Sequence, residues 1–279
     1  MTPARELELR ESLAAVRSRL ARAAKAAGRD VADIELLPIT KFFPASDVLA
    51  LHRLGCRAFG ESRDQEGARK AAEVSAVPGG DSLRWHMVGR IQRNKARSVA
   101  RWAYAAHSVD SAKVINALDS AAAEALGAGR RAGPLRVYLQ ISLDGDETRG
   151  GVDAADTGRI DELCASIDQA RGLQFVGLMA IPPLGSEPGA AFARLQQERT
   201  RVQAGYRQRL ELSAGMSGDL ESAVEHGSTC VRVGTALMGS RPLTSPEVVT
   251  PVTPSSQTPD SADISETSNT PAPREGSPE

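Results

Sequence analysis

A lysine stands at position 41, directly after the apolar run Glu35–Thr40 and before Phe42, Phe43 and Pro44. At the end of a buried strand and beside aromatic rings an ammonium is partly desolvated, which lowers its pKa and frees an amine able to form a Schiff base. The competing reading is a solvated lysine at a strand end. Two other segments combine small residues with polar ones: Ser213-Ala214-Gly215-Met216-Ser217-Gly218-Asp219 and Val231-Arg232-Val233-Gly234-Thr235. Small residues let backbone N–H groups approach an anion, and a following helix N-terminus adds about half a positive charge. Either segment alone is more often a turn or a cap, but together they describe a phosphate cradle. Arg232 lies among Val, Gly, Thr, Ala and Leu. An inward arginine cannot shed its proton and needs an acceptor. A ring nitrogen, a carboxylate or a phosphate would serve, and so would an internal ion pair with Glu61; spacing alone leaves these open.

The elements that must position these residues are legible as eight short apolar or β-branched runs. They are Glu35–Lys41, Ala58–Glu61, Trp85–Gly89, Tyr104–Val109, Arg136–Ser142, Leu173–Ile181, Glu211–Met216 and Cys230–Met238. Helix-period stretches between them are expected to begin near Ser46, Ser62, Ile91, Ser111, Ala154, Pro188 and Asp219. Near-continuous apolar strands alternating with amphipathic helices indicate parallel β/α units covered on both faces. Eight units in about 240 residues fit an α/β fold of one (β/α)8 TIM barrel, whose chemistry sits at the C-terminal strand ends. Leu9, Leu13, Val16 and Leu20 share one helical face near the N-terminus. They predict an extra helix, packed outside the barrel or across one end.

The barrel is expected over residues 1–243. Residues 244–279 hold seven of the 16 prolines, many Ser and Thr and no aromatic residue, and are expected to be a disordered tail. The tail carries five net negative charges against a whole-chain charge of −1, so the first 243 residues carry about four positive ones. That balance gives no global reason to bind nucleic acid or an anionic membrane. Cys56, Cys164 and Cys230 are odd in number and far apart, which argues against a disulfide scaffold or zinc site and suits a cytoplasmic protein. Glu6, Glu8 and Glu11 speak against a transit peptide, and no apolar run is long enough for a signal or membrane span. Asp144, Asp146 and Glu147 form an acidic turn without histidines at ligand spacing, so no metal site is expected.

A Schiff-base lysine, a phosphate cradle and a polar partner for a ring nitrogen are together what pyridoxal 5′-phosphate requires. Seven ordered strings carry the same implication: PITKFFP around Lys41, FGESRDQE at Phe59–Glu66, WHMVGRIQRNKAR at Trp85–Arg97, HSVDS at His107–Ser111, GLMAIPP at Gly177–Pro183, SAGMSGDLESAV at Ser213–Val224 and GSTCVRVGTALMGSR at Gly227–Arg241. From about Glu35 to Pro242 the chain closely resembles the YggS/PROSC family of pyridoxal-phosphate-binding proteins, whose barrel is also that of alanine racemase. The resemblance implies that Lys41 carries the cofactor as a Schiff base, that Arg232 faces the pyridine nitrogen, and that Met216, Ser217, Gly234 and Thr235 hold the phosphate. Ser62 stands where the family usually has Asn, so a contact made there would have a shorter reach. Arg149-Gly150-Gly151 matches a basic residue followed by small ones in the family, without an assigned role.

A ring nitrogen facing an arginine stays unprotonated, because the arginine must donate, and the cofactor becomes a poorer electron sink. Racemases and decarboxylases of this fold type add a β-domain that supplies a second acid/base group, and residues 244–279 do not read as one. Tyr104, Tyr138 and Tyr206 are expected in the core; His86 and His107 are expected as hydrogen-bonded structure. The leading expectation is a monomeric carrier in pyridoxal-phosphate (vitamin B6) homeostasis, without a defined turnover, that passes the cofactor to apo-enzymes. The alternatives are an amino-acid racemase of the same fold type, with His86 or a partner chain supplying the missing group, and a cofactor-free Schiff-base aldolase. The basic run Arg90, Arg93, Lys95, Arg97 and Arg101 is expected as a solvated face that could dock an acidic partner.

Overall fold

All eight apolar runs form parallel strands. They are β1 (Glu35–Pro38), β2 (Ala58–Glu61), β3 (Arg84–Met87), β4 (Ala105–Val109), β5 (Leu135–Ser142), β7 (Leu173–Ala180), β8 (Glu211–Ser213) and β9 (Cys230–Val233). A two-residue strand, β6 (Val152–Asp153), pairs only with β5. The computed structural model describes residues 2–183 and 185–240. The tail expected over 244–279 lies outside the described residues.

The strand order β1-β9-β8-β7-β5-β4-β3-β2 is closed by a parallel bridge from Ile39 to Gly60 and by the Thr40 N–H donating to the Gly60 carbonyl at 3.0 Å. This is the expected eight-stranded barrel. Seven of the eight residues of β5 are buried, because one face fills the barrel and the other meets helices. Helices α2 (Ala45–Arg53), α3 (Asp64–Ser75), α4 (Ala96–Trp102), α5 (Ala112–Gly127), α6 (Thr157–Asp168), α7 (Pro188–Gln203) and α8 (Leu220–Glu225) separate the strands. Two of them start later than the hydrophobic period suggests. Residues after Met87 run as a loop and a 3-10 turn, Arg93–Lys95, before α4 begins at Ala96. Val152 and Asp153 are drawn into β6, so α6 waits for its cap, the Asp156 carboxylate accepting from the Arg159 N–H at 2.9 Å.

The helix after β9, α9 (Thr235–Met238), has only four residues. The outer position that a full helix would take there belongs to the N-terminal helix α1 (Pro3–Ala26), which packs against α8, α9 and α2. Its start is set by the Thr2 hydroxyl, which accepts from the Arg5 N–H at 3.3 Å, and by Pro3 in the first turn. Leu9, Leu13, Val16 and Leu20 then recur every three or four residues and bury against Val48, Leu51, Leu220, Val224, Leu237 and Met238. Burial of each large apolar side chain contributes about 2 kcal/mol. The extra helix is therefore packed outside, as one of the two expected placements had it.

Candidate functional site at the barrel mouth

Because all barrel strands are parallel, the residues that follow them gather at one end. Lys41 follows β1, Ser62 follows β2, Met216 and Ser217 follow β8, and Gly234 and Thr235 follow β9, while Arg232 lies within β9. The predicted residues thus share the mouth or open into it from inside. The Ile39 N–H donates to the Val233 carbonyl at 2.9 Å, which sets the end of β9 beside the turn bearing Lys41.

Lys41 is exposed, with its Nζ 5.9 Å from the centre of the Phe42 ring. The expected desolvation by two phenylalanines does not occur. Phe43 turns away to pack against the cluster shared by α1 and α2, leaving only Phe42 at the ammonium, with the Arg63 guanidinium 5.2 Å from the same ring. Phe42 adopts φ 71°, the left-handed region, and is the one non-glycine residue to do so among the described residues. Such a backbone costs a side-chain-bearing residue on the order of 1 kcal/mol and persists only where its surroundings impose it.

Those surroundings are polar and buried. The Phe42 N–H donates to Glu66 Oε1 at 2.6 Å, and the Phe43 N–H donates to the Thr40 carbonyl at 3.1 Å. Lys70, 1% exposed, donates to that same Thr40 carbonyl at 2.7 Å, to Glu61 Oε1 at 2.8 Å and lies 2.8 Å from Glu66 Oε1. Thr40 Oγ1 donates to Glu61 Oε1 at 2.7 Å. Burial pushes the Glu61 carboxyl above its ordinary range, against the pull of Lys70, and its Oε2 is buried without a hydrogen-bond partner. Glu61 therefore belongs to Lys70, and the alternative ion pair with Arg232 is not formed.

Arg232 is 5% exposed and donates from Nη1 to Ser213 Oγ at 2.6 Å and from Nη2 to the Ala180 carbonyl at 2.9 Å. Its acceptors are neutral oxygens, and among the described residues no carboxylate pairs with it. Burial lowers its pKa from the ordinary arginine value. Behind Ser213 the chain of contacts continues inward: Ser213 Oγ shares a hydrogen bond with His107 Nδ1 at 2.8 Å, and His107 Nε2 shares one with His86 Nδ1 at 2.8 Å. Burial drives the His86 imidazole down to about 3 and holds His107 well below its ordinary value. Both are neutral, hydrogen-bonded structure, as the sequence suggests. His86 is buried inside the barrel and does not reach the mouth.

The two glycine-bearing segments meet: the Ala236 N–H donates to Ser217 Oγ at 3.1 Å, and the Arg232 N–H donates to the Gly215 carbonyl at 2.9 Å. Gly215, at φ 91°, makes the turn between β8 and Met216, where an added Cβ would lie 2.6 Å from the Ala223 Cβ. The following helix α8 has six residues, so the backbone and hydroxyl groups of the two turns, more than any long helix dipole, define this corner. Arg19 of α1, which sequence reasoning missed, holds it from outside by donating to the Ser217 carbonyl at 3.1 Å and to both oxygens of Glu221 at 2.9 and 2.8 Å. Ser62 sits against Gly89, where any Cβ would come within 2.0 Å of the Ser62 carbonyl oxygen. Beyond the site, Arg149 donates to the Pro182 carbonyl at 2.8 Å and pairs with Asp144 at 3.4 Å. No metal-ligand cluster occurs among the described residues.

Tyr104 departs from its expected core role: it is 36% exposed at the start of β4, between the guanidiniums of Arg84 and Arg136, each 5.5 Å from its ring. That is the end of the barrel opposite Lys41. Tyr138 is buried and donates to Glu211, and Tyr206 packs edge-on against Phe175, with centroids 5.0 Å apart. All three cysteines are free and buried.

Residues 12–242 match the family model for the alanine racemase N-terminal domain. Over 250 residues, 88% of this chain and 97% of the relative, the sequence is 59% identical to a pyridoxal phosphate homeostasis protein of Mycobacterium bovis. The chain belongs to the YggS/PROSC family. The Escherichia coli pyridoxal phosphate homeostasis protein, a family member, is 34% identical over 238 residues, covering 84% of this chain and 97% of its own. The family barrel is seen in PipY of Synechococcus elongatus, solved with pyridoxal phosphate bound, at a TM-score of 0.69 and 35% identity over 83% of this chain and all of that one. Alanine racemase of Streptomyces coelicolor shares the fold at a TM-score of 0.62 and 19% identity, over 83% of this chain and 58% of its own. No helix among the described residues is long and apolar enough to cross a membrane.

Proposed function

We propose that this chain binds pyridoxal 5′-phosphate at the barrel mouth and serves its intracellular homeostasis as a carrier, with Lys41 as the point of Schiff-base attachment. The observation that carries the reading is Arg232: a buried guanidinium held only by neutral oxygens, suited to donate to a ring nitrogen. When bound, the cofactor supplies an aldehyde that takes a primary amine and a ring that withdraws electrons. Lys41 presents the amine from an exposed turn. Ser217, whose Oγ already accepts from Ala236, keeps its own O–H as a donor, and with Met216, Gly234 and Thr235 it forms the pocket we assign to the phosphate. Ser62 would line the side of the mouth against Gly89. These residues fit the group, since they combine an accessible amine, two joined turns and an unneutralised buried cation.

Holding without turnover is supported by two features. Arg232 only donates, so the ring nitrogen would remain unprotonated and carbanion chemistry would be disfavoured. Tyr104, Tyr138 and Tyr206 occupy the opposite end, the barrel interior and the outer helix layer, where none is placed to serve as a second acid/base at the mouth. We read the recipients as apo-enzymes that use the cofactor, the protein as a monomer, and the compartment as the cytoplasm, where three buried free thiols are at home.

The test is the absorption spectrum of the purified protein titrated with pyridoxal phosphate, followed by borohydride reduction and peptide mass mapping. A visible band, bleached on reduction with the mass increment on Lys41 and absent in Lys41→Ala, is expected. A colourless wild type that stays colourless would overturn the reading. Steady α-proton exchange of an amino acid, dependent on Lys41, would replace the carrier with an enzyme.

A further inference from the structure

Lys41 is bracketed from both sides by one buried ammonium. On its N-terminal side, the Thr40 carbonyl accepts from Lys70 Nζ at 2.7 Å; on its C-terminal side, the Phe42 N–H donates to Glu66 Oε1, itself 2.8 Å from that Nζ. Lys70 Nζ also donates to Glu61 Oε1 at 2.8 Å, so the ammonium makes two hydrogen bonds and a close ion pair with Glu66. Lys70 lies on α3, 29 positions from Lys41 in sequence, and has no contact with solvent to explain its charge. A buried lysine that merely filled space would cost more than an apolar residue of the same volume. What this one holds is a turn whose central aromatic residue sits in a left-handed conformation.

We propose that Lys70, acting through Thr40 and Glu66, is the positioning residue for Lys41: it imposes the strained Phe42 turn and thereby fixes where the Lys41 amine stands at the mouth. Lys70 itself does not touch the carbonyl compound. The step it assists is addition of the Lys41 nitrogen to an aldehyde carbon, with the carbonyl oxygen and both amine hydrogens leaving as water. The turn would otherwise relax toward an ordinary φ, and Lys41 would sample many positions, most of them unproductive. The proposal rests on Lys41 being the attachment point.

Three full-length variants test it: Lys70→Met, which keeps volume and removes the donors; Glu66→Ala, which removes the acceptor of the Phe42 N–H; and Glu66→Gln, which restores a neutral acceptor. Growth of the visible band with pyridoxal phosphate is followed by stopped-flow. Lys41 trapping is read by borohydride and peptide mass, and folding by circular dichroism. Misplacement by about 1 Å lowers such rates by up to about a hundredfold. Lys70→Met and Glu66→Ala are expected to form the band at least about tenfold more slowly, with Glu66→Gln recovering most of the loss. In a second arm without cofactor, hydrogen exchange of the backbone amides is followed by mass spectrometry. The Phe42 N–H, whose acceptor Glu66 is paired with Lys70, should lose its protection in the first two variants and regain it in the third. Folded Lys70→Met and Glu66→Ala proteins that match wild type in both arms would overturn the positioning role while leaving the attachment at Lys41 intact. Should Lys70→Met fail to fold, the Glu66 pair decides by the same criterion. A wild-type protein trapped elsewhere than at Lys41 would instead remove the attachment reading, and the exchange arm would still decide whether Lys70 governs the turn.

Discussion

Arg232 and His107 share one oxygen: Ser213 Oγ accepts from Arg232 Nη1 at 2.6 Å and shares a hydrogen bond with His107 Nδ1 at 2.8 Å. The residue assigned to the ring nitrogen is thus tied to the neutral interior of the barrel by a single hydroxyl. Ser213→Ala leaves a buried cation short of an acceptor, a loss of about 1 to 3 kcal/mol. Urea unfolding should show that loss, and the visible band of the loaded protein should shift. An unchanged spectrum would separate Arg232 from the cofactor.

The histidine pair predicts a particular acid sensitivity. His86 is driven down to about 3 and His107 well below its ordinary value, both chiefly by burial, so the unfolded chain takes up protons before the folded one does. Stability should be level above pH about 6.5 and fall as the pH drops below it, by up to about 1.4 kcal/mol per unit per histidine, until the folded-state value is reached. Glu35 and Glu61, raised by burial, act in the opposite sense at lower pH. Comparing wild type with His107→Gln at pH 7 and pH 5 isolates the imidazole: the variant should show the shallower slope.

Ser217→Ala removes the oxygen on which the Ala236 N–H rests, and Arg19→Ala releases the Ser217 carbonyl from outside. Each lost hydrogen bond is worth about 1 kcal/mol. Equilibrium titration should show weaker pyridoxal-phosphate binding, about tenfold for Ser217→Ala and less for Arg19→Ala. Binding of pyridoxal, which lacks the phosphate, should change little. Equal losses for both ligands would place the phosphate elsewhere.

Gly89→Ala would set a methyl 2.0 Å from the Ser62 carbonyl, a backbone atom that cannot step aside cheaply. The expected cost is about 1 to 3 kcal/mol. Thermal melts should register it, together with weaker cofactor retention, because Ser62 must move with the strand end. Ser62→Asn, by contrast, should fold like wild type.

Much of this was readable before any coordinates. The eight strands announce themselves because a parallel strand covered on both faces must be largely apolar: β7 is so except for Gln174, and β5 keeps Leu135, Val137, Leu139 and Ile141 at alternate positions. Lys41, Ser217 and Arg232 stood out because their residue types clash with, or punctuate, such runs. Lys70 did not, since Glu66 and Lys70 four apart on a helix look like any surface ion pair, and only the fold turns that face inward toward Thr40. Arg19 was hidden for a similar reason: its partners Ser217 and Glu221 lie about 200 positions away. Tyr104 misled because a strand pattern does not say which end of the strand is wet.

The N-terminal helix standing in the outer ring has a consequence for assembly. Arg5 donates to the Met238 carbonyl at 2.9 Å, Arg19 to Ser217 and Arg29 to the Val224 carbonyl at 2.8 Å. Apart from α2, against which it packs through Val48 and Leu51, α1 therefore finds its partners among the last strands and turns of the barrel. During synthesis α1 can pack on α2 early, but the part of its apolar face that meets α8 and α9 stays uncovered until β9 emerges. Ring closure and completion of the phosphate corner then become one late event, so a ribosome-bound chain stalled before Val233 would carry Lys41 but no finished place for a cofactor to lodge.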